Sequence, residues 1–124
     1  MRRFLTHIGR TTAVEFGLTA PVFFALVFGL IDFGLLLWTQ LGLQHATELA
    51  ARCASVNKMV CADVAAIQTY ASTQVFGMTV PTSVFTASQA ACGNRVTASF
   101  DFGLIGGFFG TPVMTLNAAA CFPK

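Results

Sequence analysis

Four cysteines are the residues of this chain most capable of covalent chemistry: Cys53, Cys61, Cys92 and Cys121. None of them has a partner at Cys-x-x-Cys spacing, and His7 and His45 lie far from them along the chain. The usual ligand spacings of a zinc site are therefore missing, and we expect no metal. In an oxidising compartment these thiols are expected to form disulfides, for which three connectivities exist. One or more free thiols is the alternative.

Catalytic chemistry is not indicated elsewhere. His45 is expected to lie on an exposed helix face, and the serines have no evident base partner. The segment GLIGG, residues 103–107, lacks the Lys and Ser or Thr of a phosphate-binding loop and is better suited to a turn. A net charge of +2 is too small to indicate nucleic-acid binding. We expect no enzyme, no cofactor and no small-molecule substrate.

Two acids stand in or beside a long apolar segment. Glu15 ends the run Thr12-Ala13-Val14-Glu15, which fits a capping box at the start of a helix. The alternative is that Glu15 is recognised by another protein. Asp32 lies inside the apolar segment, where it is expected either to reach toward water or to pair with a basic group of a partner helix.

The apolar segment itself predicts a membrane-spanning helix. Residues 16–38 contain one charge, and as a helix they would be about 35 Å long, enough for a hydrocarbon core of about 30 Å. Arg2, Arg3 and Arg10 precede it, so the N-terminus is expected in the cytoplasm, with Trp38 at the far interface. A cleaved secretory signal is the rival interpretation. The resulting organisation is a basic cytoplasmic leader at 1–10, a transmembrane helix at 11–38 and a periplasmic domain at 39–124.

The outer part predicts an α+β domain of two helices and a short antiparallel sheet. The first helix is expected to continue through residues 39–56, with Leu41, Ala46, Leu49 and Ala50 on its apolar face. Residues 63–77 predict a second helix that begins at Asp63 and ends at Gly77. Residues 94–102 alternate as in a half-buried strand, and 111–124 could return as a last strand. Phe108 and Phe109 either fill the small core or form a sticky loop.

These elements favour one disulfide pattern. Cys53 and Cys61 flank the break between the two helices and could close a short loop. Cys92 and Cys121 would tie the beginning of the sheet to its last strand. Because so small a domain has a limited core, each bridge is expected to matter for its stability.

The opening of the chain resembles a known family. A short basic leader and a glycine precede TTAVEFGLTAPVFFALVFGLIDFG, and a helix HATELAARCAS follows. Together these stretches, at about residues 9–56, resemble the TadE-like family, the pseudopilins of the tight-adherence (Flp-type) pilus system.

The resemblance implies that a prepilin peptidase removes the leader on the cytoplasmic face, after a glycine and with a glutamate five residues into the mature chain. Glu15 would be that glutamate, and Phe16 follows it as in the family. If Glu15 is the fifth residue of the mature chain, the cut falls between Arg10 and Thr11. If the cut instead follows Gly9, Glu15 is the sixth residue. We favour the Gly9–Arg10 bond because a small residue suits a tight peptidase site.

The function implied is assistance in pilus assembly. The expected partners are the prepilin peptidase, the major pilin or other pseudopilins, and the membrane. The expected location is the bacterial inner membrane, with an association with the pilus. The alternative is an unprocessed single-pass protein whose outer domain binds another component of the envelope.

Overall fold

A computed structural model describes the backbone of residues 2–104 and 113–124, and the side chains of residues 12–104 and 113–124. The first helix, α1, is Arg2–Val56, and the second, α2, is Val64–Gln74. A short 3-10 turn at Thr82–Val84 leads into three strands: β1 at Phe85–Ala90, β2 at Gly93–Gly103 and β3 at Val113–Phe122. The predicted α+β class is confirmed. The predicted turn at 103–110 and its Phe108 and Phe109 lie largely or wholly outside the described residues.

Helix α1 is continuous over 55 residues, which corresponds to a length of about 82 Å. Thr12 and Glu15 lie inside it, more than two turns from its start, so the predicted capping box is wrong. Pro21 is also inside the helix and cannot donate to the carbonyl of Gly17. The helix therefore lacks one backbone hydrogen bond between these two residues.

The sheet is antiparallel with strand order β1-β2-β3. Its alternation is as predicted, since Val96 and Ala98 are buried and Phe100 and Phe102 are half-buried on the face toward the helices. The β1–β2 turn ends at Gly93, whose φ of 122° favours glycine. A Cβ atom there would also overlap the carbonyl oxygen of Phe122, so a larger residue would push β3 away.

The core lies between the inner face of the sheet and the second half of α1. The helix contributes a run of small side chains with Leu43 at one end, and Phe85 is the largest fully buried side chain of the sheet. The fully or almost fully buried residues in this part of the helix are Thr39, Leu43, Ala46, Thr47, Ala50 and Ala51. Leu41, which was predicted to belong to this face, is exposed. It lies five residues before Ala46, which is off the three- and four-residue spacing that keeps side chains on one face.

Helix α2 covers the β1 side of the core. Asp63 caps it as predicted, accepting a hydrogen bond from the backbone N–H of Ala66 at 2.7 Å. Ala71 is buried, and Ile67 and Tyr70 pack against the core. The helix ends at Gln74, three residues earlier than predicted. Gly77 follows with a φ of 79°, in the turn that leads away from the helix.

Strand β3 runs along α1 in the same direction. Near the middle of β3, the carbonyl of Asn117 accepts a hydrogen bond from the side-chain Nε2 of Gln40 at 2.9 Å. Near its end, the Ser55 hydroxyl donates to the carbonyl of Phe122 at 3.4 Å and accepts from Asn94 Nδ2 at 2.9 Å. These bonds fix where the sheet sits along the helix.

The packing predicts that Phe85 is the residue on which the core depends most. Replacing Phe85 with Ala should lower the free energy of unfolding by about 3–5 kcal/mol, because a large cavity would replace a fully buried ring. Denaturant unfolding of the full chain in detergent measures this. The matched control is Phe76→Ala, since that ring is 40% exposed and should cost clearly less. Equal losses for the two variants would contradict the assigned core.

Candidate functional site

The residues expected to direct leader removal lie at the N-terminal end of α1. The backbone of Gly9, Arg10 and Thr11 is helical, and their side chains lie outside the described set. Glu15 and Phe16 are exposed. Thr19 folds its hydroxyl back and donates to the carbonyls of both, at 3.0 and 3.3 Å. The Glu15 carboxylate therefore projects from an intact helix and is accessible to another protein.

By length and composition, the part of α1 from Thr12 to Val56 is suited to cross a membrane. Its stretch from Val14 to Ile31, called here the apolar half of α1, carries a largely apolar surface. Large apolar side chains that are 46–73% exposed lie all around it: Val14, Phe16, Leu18, Val22, Phe23, Phe24, Leu26, Phe28, Leu30 and Ile31. A soluble domain would not leave so large a contiguous apolar surface in water.

Asp32 marks the point where α1 enters the folded domain. Its side chain is only 5% exposed, whereas its neighbours Ile31 and Phe33 are 49% and 60% exposed. At this level, the rest of the protein therefore covers only one side of helix α1. Among the described residues, no buried side-chain nitrogen or oxygen lacks a hydrogen-bond partner. Asp32 thus belongs to the packed side of the helix.

A cluster of rings lies beside α1, a little further along. Trp38 packs edge-on against Phe76 with ring centroids 5.2 Å apart, and Gly77 lies directly against the indole nitrogen of Trp38. His45 contacts the same Phe76 ring at 5.5 Å and is exposed, as predicted. Because Gly77 has both a positive φ and the indole against it, the turn after α2 is fitted to this tryptophan.

The two disulfides join the cysteine pairs favoured by the sequence. Cys53 is bonded to Cys61, with Cα atoms 5.9 Å apart, and Cys92 to Cys121, with Cα atoms 6.2 Å apart. Both separations lie in the usual range. The first bridge fixes the loop after α1, and the second joins the β1–β2 turn to the end of β3. Both lie at the end of the domain away from the apolar half of α1.

A basic cleft of about 440 Å³ lies near the first disulfide. Lys58, Arg95 and Lys124 contribute cations to its lining, and Asp63 contributes a carboxylate that already caps α2. Lys124 Nζ donates to Gln89 Oε1 at 2.8 Å. Sequence reasoning missed this cleft because its three cations come from widely separated segments. Only the pairing of the strands brings them together.

The arrangement as a whole joins a helix that is suited to cross a membrane to a small disulfide-bonded domain, without a break in the helix. Among residues 12–104 and 113–124, no group of three or more His, Cys, Asp or Glu side chains is placed to hold a metal ion.

Comparison with known families agrees with the resemblance noted in the sequence. The family model described as TadE-like protein matches residues 11–52, about a third of the chain. The match begins at the apolar half of α1 and ends within the buried alanine face. This part of the chain is therefore similar to the TadE-like family. No curated protein and no solved structure shows significant similarity to the chain.

The disulfides predict an order of stabilisation. The bridges span separations of 8 and 29 residues, so replacing Cys53 and Cys61 with Ser should cost about 2.5 kcal/mol and replacing Cys92 and Cys121 about 3.5 kcal/mol. Denaturant unfolding of the full chain in detergent, without reductant, measures both. Thiol titration of the unfolded wild type should find four more thiols after reduction than before. A larger loss for the shorter loop would contradict the chain-entropy argument.

Proposed function

We propose that this chain is a non-enzymatic, pseudopilin-like protein that assists assembly of tight-adherence pili. The observation that carries the proposal is the extent of the family match. It covers Glu15, the exposed apolar half of α1 and the beginning of the folded domain. Most apolar side chains from Val14 to Ile31 are exposed in the described part of the chain, and such a helix can pass from lipid into a bundle of similar helices without a large change in solvation.

The proposed membrane arrangement follows from the distribution of charge. Arginines precede the apolar half of α1, so the N-terminus stays in the cytoplasm of the cell and the domain lies in the periplasm. The inner membrane is the proposed location, because only there does the positive end face the cytoplasm. The two disulfides support this arrangement, since the periplasm is oxidising and the cytoplasm is not.

Removal of the leader would change the environment of Glu15. In the full chain Glu15 lies within a continuous helix. A cut after Gly9 or Arg10 would create an ammonium group five or four residues before Glu15, about one turn away. In a bundle of spans that ammonium is costly without a partner. The Glu15 carboxylate of a neighbouring subunit is exposed and can neutralise it.

Leader removal predicts sensitivity to the glycine before the cut. Gly9→Leu should leave the chain at full length, because the bulky side chain would not fit the peptidase site. The matched control is Gly17→Leu in the same helix, where no atom lies within 4 Å of an added Cβ and processing should proceed. N-terminal sequencing of protein from membranes with and without the prepilin peptidase measures both. A start at Met1 in the wild type with the peptidase present would contradict processing.

The proposed role of Glu15 predicts that assembly and processing can be separated. Glu15→Gln should be processed normally but should support far fewer surface pili, because the amide cannot neutralise a neighbouring ammonium. The control is Glu48→Gln, an exposed carboxylate on the outer half of the same helix. Counting pili by electron microscopy alongside N-terminal sequencing tests this. Normal piliation by Glu15→Gln would overturn the ion-pair role.

A second candidate function is supported by the basic cleft. A single-pass protein that keeps its leader could use Lys58, Arg95 and Lys124 to bind an acidic segment of another envelope component. N-terminal sequencing separates the two candidates, since intact residues 1–9 in the mature protein favour this one. Loss of piliation in a Lys58→Glu and Arg95→Glu variant would not separate them, because an assembly protein could use the same cleft.

A further inference from the structure

The end of the β2–β3 hairpin differs in polarity from the rest of the sheet. The hairpin end is defined here as Phe102, Gly103, Val113 and Met114, which form the last two residue pairs of the register. Val113 is 59% exposed and Met114 is 50% exposed. The preceding pair, Asp101 and Thr115, is polar and exposed, and the Thr115 hydroxyl donates to the Asp101 carboxylate at 2.8 Å. Polarity therefore changes sharply within one residue pair.

The contacts between β3 and α1 show how far along the helix the hairpin end reaches. Asn117 lies beside Gln40 and Phe122 beside Ser55, so five residues of strand correspond to 15 residues of helix. Continuing at that ratio, Val113 lies level with the helix at about residue 28. Using the ideal rises of about 3.4 Å in a strand and about 1.5 Å in a helix, Val113 lies level with about residue 31.

The burial of side chains along α1 gives an independent estimate of where the hairpin end lies along the helix, and the two estimates agree. Asp32 is almost completely covered while Ile31 and Phe33 on either side of it are exposed. Leu36, one turn further along, packs against the core. Before Asp32, by contrast, the described side chains of α1 are almost all exposed. The sheet side of the helix therefore becomes covered near Asp32, where the strand geometry places the hairpin end.

We take this level as the outer limit of the proposed membrane span, seven residues before the limit at residue 38 that the sequence predicted, because the domain packs against one side of α1 from Asp32 onward. The 20 residues from Thr12 to Ile31 would cross about 30 Å, which is the thickness of a hydrocarbon core. The hairpin end then lies at the boundary between acyl chains and headgroups. Trp38 lies about 9 Å further out, in the headgroup layer, where tryptophan is favoured.

We propose that the hairpin end is a second membrane contact, seated in the outer leaflet beside the span and adding to the anchoring by α1. The inference rests on the proposed crossing of the membrane by α1. Lipid is the occupant that the position requires, because the exposed Val113 and Met114 continue the apolar surface of the span at the same height. Both residues belong to the β2–β3 ladder, opposite Gly103 and Phe102.

The chain's single tryptophan makes the proposal measurable. The full chain is reconstituted at a low protein-to-lipid ratio into phosphatidylcholine vesicles, with brominated or ordinary acyl chains, and Trp fluorescence is compared. The wild type reports on Trp38. Two variants in a Trp38→Phe background, Val113→Trp and Val56→Trp, report on the hairpin end and on the far end of α1, where Val56 is 71% exposed. Met114→Trp in the same background serves as a second probe of the hairpin end.

The expected result is an order of quenching. Brominated lipid should quench Val113→Trp at least as strongly as wild-type Trp38, and should leave Val56→Trp unchanged. Thiol titration confirms that each variant retains both disulfides.

Two other results have distinct meanings. If Trp38 is quenched while both hairpin-end probes behave like Val56→Trp, the second contact is overturned and the span stands. If no position is quenched, anchoring by α1 fails and the second contact fails with it.

Discussion

The structure depends on the contact between the alanine-rich face of α1 and the inner face of the sheet. Ala46, Ala50 and Ala51 leave almost no surface exposed, and their small size lets the sheet approach the helix closely. Three strands cannot form a core of their own, because one of their faces would remain open to water. The second half of α1 closes that face. The same helix continues, with no change of secondary structure, into a half whose apolar side chains have no partner in the described chain.

Hydrogen bonds from α1 to the sheet determine where along the helix the domain sits. Gln40 and Ser55 each donate to a carbonyl of β3, and Gln68 of α2 donates to the carbonyl of Phe85 in β1 at 2.7 Å. These donors tie both helices to carbonyls of the two outer strands and thereby position the sheet on α1. The disulfides add their constraint at the opposite end, farthest from the span.

Periodicity and capping residues in the sequence predicted several of the local elements. The alternation from Val96 to Phe102 gave the central strand, and Asp63 gave the start of α2. The favoured cysteine pairs followed from the placement of these elements. The start of α1 was predicted wrongly, since Thr12 and Glu15 match a capping pattern that a continuous helix overrides. Leu41 was also placed on the wrong side of the helix. It is apolar like the buried residues, but it lies five residues before Ala46, and that spacing turns it away from the core.

What local patterns could not predict are the features made by contacts distant along the chain. Asp32 was expected to be a polar residue within the membrane, and its burial depends on packing that periodicity does not encode. The basic cleft likewise assembles from Lys58, Arg95 and Lys124 only when β1, β2 and the end of β3 are paired. The family match ends at residue 52, so the whole sheet lies outside the stretch that the comparison informs.

Helix α1 runs without a break from its apolar half into the domain, so the two move together as one rigid body. From Asp32 to Val56 the helix extends for about 36 Å. If the apolar half tilts by roughly 10°, the far end of the domain moves sideways by about 6 Å, since the rise of the helix fixes the length of the arm. No flexible joint between the two halves absorbs such a movement. Any change in the tilt of the apolar half of α1 is thus converted directly into a displacement of the disulfide-bonded end.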